Sequence, residues 1–148
     1  MSLALAAYFA LFQSPVMDAI ARWTAVATAK VLTALGTQVS ITGTIVGTPT
    51  FAYTIVTECT AIGPILLFMA AVVAYPTTLR AKVLGILLGV VSLSAINMVR
   101  LVSLFYIGAA FPQQLPLAHY VIWQSAIIIS ALLLWLFWAD RYGHAARA

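Results

Sequence analysis

The sequence predicts a mainly α, polytopic integral membrane helix bundle, with about four transmembrane helices, one interfacial helix and a small extracytoplasmic β-hairpin. Its composition is the first reason: of 148 residues, 64% are hydrophobic and only 7% are charged. Soluble domains are about 45–50% apolar and about 25% charged. The second reason is a series of long apolar runs, and the third is one stretch of period-two alternation at 38–57. The length fits a single transmembrane domain over residues 1–148.

The N-terminal part of the chain predicts two different segments. An apolar run at 3–12 has no basic residue before it, which makes it a poor signal peptide. A membrane span needs about 20 residues, so the sequence leaves open whether residues 1–14 cross fully or insert shallowly. Beyond Pro15, residues 16–36 mix charged and threonine side chains with apolar ones. That mixture predicts an amphipathic interfacial helix, with Gly36 as its C-cap.

The segment 38–57 carries the pattern of a β-hairpin. Residues 38–45 alternate polar and apolar, residues 51–57 are β-branched and aromatic, and Gly-Thr-Pro-Thr at 47–50 supplies a turn. An open hairpin leaves backbone groups unpaired at its edges, which hydrocarbon does not tolerate. The hairpin is therefore predicted to lie outside the bilayer core.

Three apolar segments, at 60–75, 83–107 and 119–138, predict three further membrane helices. Short connections make neighbouring helices antiparallel. Gly85 and Gly89 form a pair of small residues that favours close helix packing.

The charged residues predict the topology. The loop 76–82 and the tail 139–148 each carry two basic residues, whereas the loop 108–118 carries no charge. The positive-inside rule places the first two in the cytoplasm and the third outside, so Cys59 and the hairpin belong to the extracytoplasmic face. The net charge of +4 comes from scattered residues with no basic run, which argues against nucleic acid as a partner and for the lipid bilayer.

Three side chains of different chemistry are predicted to lie at one membrane depth. Cys59 and His119 begin two of the predicted spans on the outer side. Arg100 lies 18 residues beyond Lys82, about 27 Å along a helix in a hydrocarbon core of about 30 Å. Other roles stay open: packing for Cys59, helix capping for His119 and snorkelling for Arg100. An ionisable residue within a span nevertheless indicates function.

Two neighbours are candidates for a supporting role. Asn97 lies one turn before Arg100 on the same helix face, so the two could present a fork of donors into the bundle. Glu58 is either a partner for Arg100 or a solvated interfacial charge, and the second interpretation is favoured. The single cysteine excludes an internal disulfide and makes a structural zinc site improbable. No cofactor and no metal are expected.

These residue types suit amide cleavage through a covalent thioester. The thiolate is the reactive form of cysteine, a histidine can take its proton and return one to the leaving amine, and an arginine can stabilise thiolate and oxyanion. Water or an amine would resolve the thioester, and the sequence does not distinguish hydrolysis from transpeptidation. His144, in the tail, is predicted to have no part.

A family resemblance rests on an ordered set of motifs: Glu58-Cys59-Thr60-Ala61-Ile62, Arg80-Ala81-Lys82-x-x-Gly85-x-x-x-Gly89, Asn97-x-x-Arg100 and His119. Over roughly 15–130, this set resembles the exosortase/archaeosortase family of multi-pass membrane enzymes with a Cys, Arg and His triad. It is most similar to the exosortase H type, whose motifs here read Pro15-Val16-Met17-Asp18-Ala19, Leu35-Gly36-Thr37-Gln38-Val39-Ser40-Ile41-Thr42-Gly43 and Leu79-Arg80-Ala81-Lys82.

The resemblance implies a membrane cysteine peptidase or transpeptidase of the bacterial inner membrane. Its substrates would be proteins with a C-terminal sorting signal, which consists of a short motif, a transmembrane helix and a basic cluster. By the same resemblance, Cys59 is the nucleophile, His119 the general acid and base, and Arg100 the stabiliser of thiolate or oxyanion. The alternative is a non-catalytic membrane assembly or channel subunit with a structural Arg100. A redox or metal carrier is disfavoured by one cysteine and two histidines on opposite membrane sides. The oligomeric state stays open.

Overall fold

The computed structural model describes residues 14–142, and the predictions for residues 1–13 and for His144 lie outside that range. The described chain is mainly helical, with one small antiparallel sheet between its first and second helices. The helices are α1 (Pro15–Ala34), α2 (Ile62–Ala74), α3 (Leu79–Ala110) and α4 (Pro112–Tyr142), and the strands are β1 (Ser40–Thr42), β2 (Ile45–Gly47) and β3 (Ala52–Thr54).

Helix α1 begins and ends where its sequence supplies caps. The Ser14 hydroxyl accepts the Met17 N–H at 3.4 Å, and Pro15 occupies the first helical position. At the other end, Gly36 has φ 90°, and the next amide, of Thr37, donates to the Leu32 carbonyl at 3.0 Å. This is the closing pattern that glycine permits. One face of α1 is buried, by Met17, Ala21, Ala25, Thr28, Ala29 and Leu32, as expected for an amphipathic helix.

The sheet has three strands, whereas the sequence pattern predicts two. Its order is β1-β2-β3, and both pairs are antiparallel. Gly43 adopts φ 65°, a left-handed conformation suited to glycine. It therefore allows a tight turn inside 38–45, and the single strand predicted there becomes β1 and β2. The predicted turn at 47–50 connects β2 to β3.

Two described helices, α3 with 32 residues and α4 with 31, are long and apolar enough to cross a membrane. Helix α3 begins earlier than the predicted 83, because the Thr78 hydroxyl accepts the Ala81 N–H at 3.4 Å. The predicted loop 108–118 is largely helical as well. Helix α2 has only 13 residues, about 20 Å at 1.5 Å per residue, which is less than a hydrocarbon core of about 30 Å.

Helix α3 contributes residues to two separate hydrophobic clusters, one near each of its ends. The Cys59 cluster joins it to α1 and the sheet, and comprises Ala25, Ala29, Leu32, Val46, Ile55, Cys59, Leu101 and Phe105. The Trp138 cluster joins its other half to α2 and α4, and comprises Phe68, Val72, Ala81, Leu93, Trp138 and Ala139.

Gly85 and Gly89 of α3 receive aromatic rings from the neighbouring helices. A Cβ atom on Gly85 would collide with the Trp138 ring of α4, and one on Gly89 would collide with the Phe68 ring of α2. The predicted role in close packing therefore takes the form of ring insertion. The indole N–H of Trp138 also donates to the Ala81 carbonyl at 2.8 Å.

Candidate active site

Cys59 ends a single 3₁₀ turn, Thr57–Cys59, that connects β3 to α2. Its own N–H donates to the Val56 carbonyl at 2.9 Å. The Thr60 N–H and hydroxyl both donate to the Thr57 carbonyl, at 3.0 and 2.6 Å. Cys59 is 6% exposed and is not in a disulfide. The hydrogen bonds of this turn fix the position of the Cys59 thiol just beyond the end of β3. Because the Cys59 N–H is already bonded to Val56, it is not free to bind an oxyanion.

Helix α3 contributes two buried polar side chains, Asn97 at 4% and Arg100 at 3% exposure. The Asn97 amide donates through Nδ2 to the Cys59 carbonyl at 2.9 Å, across 38 residues of sequence. Arg100 instead donates through Nη2 to Nε2 of His119, at 3.1 Å. Both predicted donors therefore point into the bundle, but they reach different acceptors. Asn97 fixes the backbone of Cys59, whereas Arg100 binds the imidazole of His119.

His119 lies in the π-helical segment Ala118–Trp123 of α4. Such segments are rare and occur frequently at functional sites. Its Nε2 atom lies 3.7 Å from the Cys59 Sγ atom, within reach of an S–H donor. The Tyr120 ring packs against the imidazole at 4.5 Å between centroids. The structure thus brings Cys59, Arg100 and His119 together, with His119 between the other two.

The contact with Arg100 fixes the role of each imidazole nitrogen. A guanidinium only donates hydrogen bonds, so Nε2 of His119 accepts from it and the ring proton belongs to Nδ1. The same Nε2 lone pair is the atom nearest to the thiol. Nε2 accepts a hydrogen bond from Arg100, which does not give up its proton, and the same lone pair can take the thiol proton only once Arg100 releases it.

Three buried polar atoms of this site have no hydrogen-bond partner among the described residues: Asn97 Oδ1, Arg100 Nε and His119 Nδ1. A buried polar atom without a partner costs about 1–3 kcal/mol, and such atoms are uncommon in folded proteins. Three within one cluster indicate capacity for further polar contacts, because Arg100 commits only one of its five N–H groups to His119.

An open cavity of about 330 Å³ lies beside the thiol. Its lining is mostly apolar: Tyr53, Thr54, Val56, Cys59, Leu101, Leu104, Leu115, Pro116, His119 and Tyr120. Its volume is at the lower end of the range of about 300–1,000 Å³ for small-molecule pockets. It offers room for a few side chains directly at the sulfur atom.

A comparison with known protein families supports the exosortase resemblance. A family model described as Transmembrane exosortase (Exosortase_EpsH) matches residues 1–139. The chain belongs to this exosortase family. No curated protein and no solved structure matches it.

Membership of the exosortases implies a lipid membrane and protein substrates, and is consistent with a membrane cysteine peptidase. The apolar helices α3 and α4 agree with a membrane protein. None of the groups of His, Cys, Asp and Glu in residues 14–142 is arranged to hold a metal ion.

Glu58 stands apart from the other predicted site residues. Its side chain is exposed, and it forms no ion pair with Arg100 or any other residue of the described range. The partner of Arg100 is therefore the imidazole of His119 and not the carboxylate of Glu58. Of the two interpretations of Glu58, the exposed charge is the one that agrees with the structure.

Sequence reasoning missed Tyr53 of β3. Its hydroxyl donates to the Leu101 carbonyl at 3.3 Å, and its ring lines the cavity. Burial, and secondarily the charge of a Cys59 thiolate, raise the pKa of Tyr53, so its hydroxyl stays a donor. The available signal was an aromatic residue six positions before the cysteine, on a strand too short to show which face is buried.

Proposed function

We propose that this exosortase is a membrane-embedded cysteine peptidase or transpeptidase that cleaves proteins at a C-terminal sorting signal through a thioester on Cys59. The observation that carries the proposal is the shared acceptor at His119. Its Nε2 lies 3.7 Å from the Cys59 sulfur and 3.1 Å from an Arg100 nitrogen. A thiol, a base and a fixed cation on three separate segments form a minimal acyl-transfer site.

The first half of the reaction forms the thioester. As Arg100 releases Nε2 of His119, that nitrogen takes the thiol proton, and the Cys59 sulfur attacks the scissile carbonyl carbon. The carbonyl π electrons move to oxygen, and the resulting oxyanion is stabilised by Arg100. This assignment is favoured because the Cys59 amide is already bonded to Val56, whereas Arg100 Nε has no described partner.

The second half releases the two products. As the carbonyl re-forms, the C–N bond breaks and His119 returns its proton to the leaving amine. The acyl part stays on Cys59 as a thioester. Water then yields an acid, or an amine yields a new amide, and His119 takes the proton of the attacking group. Both outcomes restore the thiol when the sulfur recovers that proton.

The substrate signal and the membrane frame follow from the likeness to exosortase H. The signal has a short motif, a transmembrane helix and a basic cluster, and its helix would lie in the bilayer beside the enzyme. In this frame the chain is a multi-pass protein of the bacterial inner membrane, with about four spans in one domain over residues 1–148. Its site faces the periplasm.

Co-expression tests the proposal. The enzyme is expressed with a tagged protein that carries such a C-terminal signal, and processing is followed by the mass of the tagged product. Cys59→Ala and Cys59→Ser should abolish processing, while Val91→Ala, on an exposed α3 position, should retain it. Processing at the wild-type rate by Cys59→Ala would rule out the thioester.

A further inference from the structure

The free edge of β3 and the cavity beside the thiol form one continuous surface. The sheet order is β1-β2-β3, so among the described strands β3 pairs with β2 alone. The Ile55 N–H donates to the Thr44 carbonyl at 2.9 Å, and the Thr48 N–H donates to the Phe51 carbonyl at 2.7 Å. Since strand residues alternate in direction, Ala52 and Thr54 direct their backbone groups away from β2.

That outward edge adjoins the reactive sulfur. Thr54 and Val56 line one side of the cavity, and Leu115 and Pro116 of α4 line another. Ala52 and Thr54 are exposed, and no described strand pairs with their edge. A short unpaired strand beside an apolar cavity is the arrangement in which proteins add a peptide strand, with backbone pairing for affinity and side-chain pockets for specificity.

We propose that an extended segment of the substrate pairs with the outer edge of β3 and places one apolar side chain in the cavity. This inference rests on the proposed function. The pairing is parallel in this proposal, and because β3 runs towards Cys59, the segment brings the carbonyl of its last residue to the sulfur. The segment is therefore the acyl part of the substrate, and the residue that supplies the scissile carbonyl fills the cavity.

The lining of the cavity sets the substrate class. Leu101, Leu104 and Leu115 are aliphatic, and the Tyr53 hydroxyl is bonded to a helix carbonyl. None of the described residues that line the cavity is Lys, Arg, Asp or Glu. A charged side chain placed there would lose its hydration without gaining an ionic partner. A leucine-sized side chain is expected to be preferred over glycine and over a charged residue.

Cys59 is the only cysteine of the chain, so alkylation gives an unambiguous readout. The full chain in lipid nanodiscs is treated with three tripeptide chloromethyl ketones: one ending in leucine, one ending in glycine, and the leucine probe with N-methylated amides. Intact mass gives each rate, which is divided by the rate of iodoacetamide on the same variant. The leucine probe should react about 10- to 100-fold faster than the glycine probe. N-methylation should slow it about three- to tenfold.

Two tryptophan variants, one inside the cavity and one outside it, show whether the leucine-to-glycine rate ratio depends on the cavity itself. Val56 lines the cavity and is 46% exposed, so Val56→Trp can fill the space without disturbing a core. It should reduce the leucine-to-glycine ratio to about one. Val91→Trp, at an α3 position that is 68% exposed and outside the cavity, should keep the wild-type ratio.

A leucine-to-glycine ratio near one in the wild type, or an unchanged ratio in Val56→Trp, would contradict the proposal that the cavity binds a substrate side chain. Equal rates for the methylated and unmethylated leucine probes would overturn the pairing with β3. The iodoacetamide rate alone, compared between wild type and His119→Ala, tests the proposed function. The two claims can thus fail separately, since the ratio is measurable even for a sluggish thiol.

Discussion

The two ends of α3 bury polar groups in opposite ways. In the Trp138 cluster, the Trp138 ring is fully buried, lies on Gly85 and donates its N–H to a carbonyl at 2.8 Å. At the Cys59 cluster, Asn97 and Arg100 are as deeply buried, yet each has a polar atom without a described partner. The Trp138 end has one exception, Trp135 Nε1, which also lacks one.

This difference indicates that the Trp138 end of α3 contributes mainly to stability and the Cys59 end mainly to reactivity. A ring that fills a glycine notch and satisfies its donor gains burial and one hydrogen bond, so its loss should reduce stability. Buried polar atoms left unpaired reduce stability and persist where a substrate or transition state can use them. Variants at the Cys59 end should therefore change rates, and variants at the Trp138 end should change the free energy of unfolding.

The largest expected effect is on the rate, in His119→Ala. Loss of the base should slow substrate processing about 10²- to 10⁴-fold, with little change in the melting temperature measured in detergent. Ile122→Ala is the matched control, because Ile122 is in the same π-helical segment and 58% exposed. Processing by His119→Ala within twofold of wild type would remove the distinction between the two ends.

Trp138→Ala should have the converse effect. Truncation of a fully buried tryptophan costs about 3–5 kcal/mol in the free energy of unfolding, while processing per folded molecule should stay at the wild-type level. Phe137→Ala, at a neighbouring aromatic residue that is 54% exposed, should cost about 0.5 kcal/mol or less. Trp138→Phe, which keeps a ring but removes the donor to the Ala81 carbonyl, should cost about 1–3 kcal/mol. Equal costs at 137 and 138 would contradict the packing account.

Asn97→Ala should show a smaller effect of both kinds. The Cys59 carbonyl loses its donor, which costs about 1–3 kcal/mol, and the thiol is less firmly placed against His119, so processing should slow. Ser94→Ala, at an exposed α3 position, is the control for both readouts. An Asn97→Ala variant with reduced stability and unchanged processing would make Asn97 a packing residue only.

The sequence predicts the helical membrane class because composition and apolar run length are properties of local segments. It also predicts that Cys59, Arg100 and His119 share one depth, since helix rise and basic loops suffice for that estimate. It does not predict the bond from Asn97 to the Cys59 carbonyl, because a backbone acceptor 38 residues away leaves no side-chain pattern.

Local backbone geometry explains the remaining differences. Gly43 divides one predicted strand into two by forming a turn with a left-handed φ of 65°. The sequence does not predict this turn, because the polar and apolar residues keep alternating on both sides of the glycine. The π-helical segment at His119 likewise has no pattern in the sequence. Tyr53 escapes notice because contact with Leu101 depends on how the sheet packs on α3.

The most direct test of a reactive Cys59 end is the rate at which iodoacetamide alkylates Cys59 at neutral pH in the full chain. The thiolate is the form that reacts, and the proposed function requires His119 to take the thiol proton. Wild type should react about tenfold faster or more than His119→Ala and Arg100→Met, while Ile122→Ala should match wild type. Equal rates in all four proteins would contradict the account and favour a structural Arg100 in a non-catalytic membrane subunit.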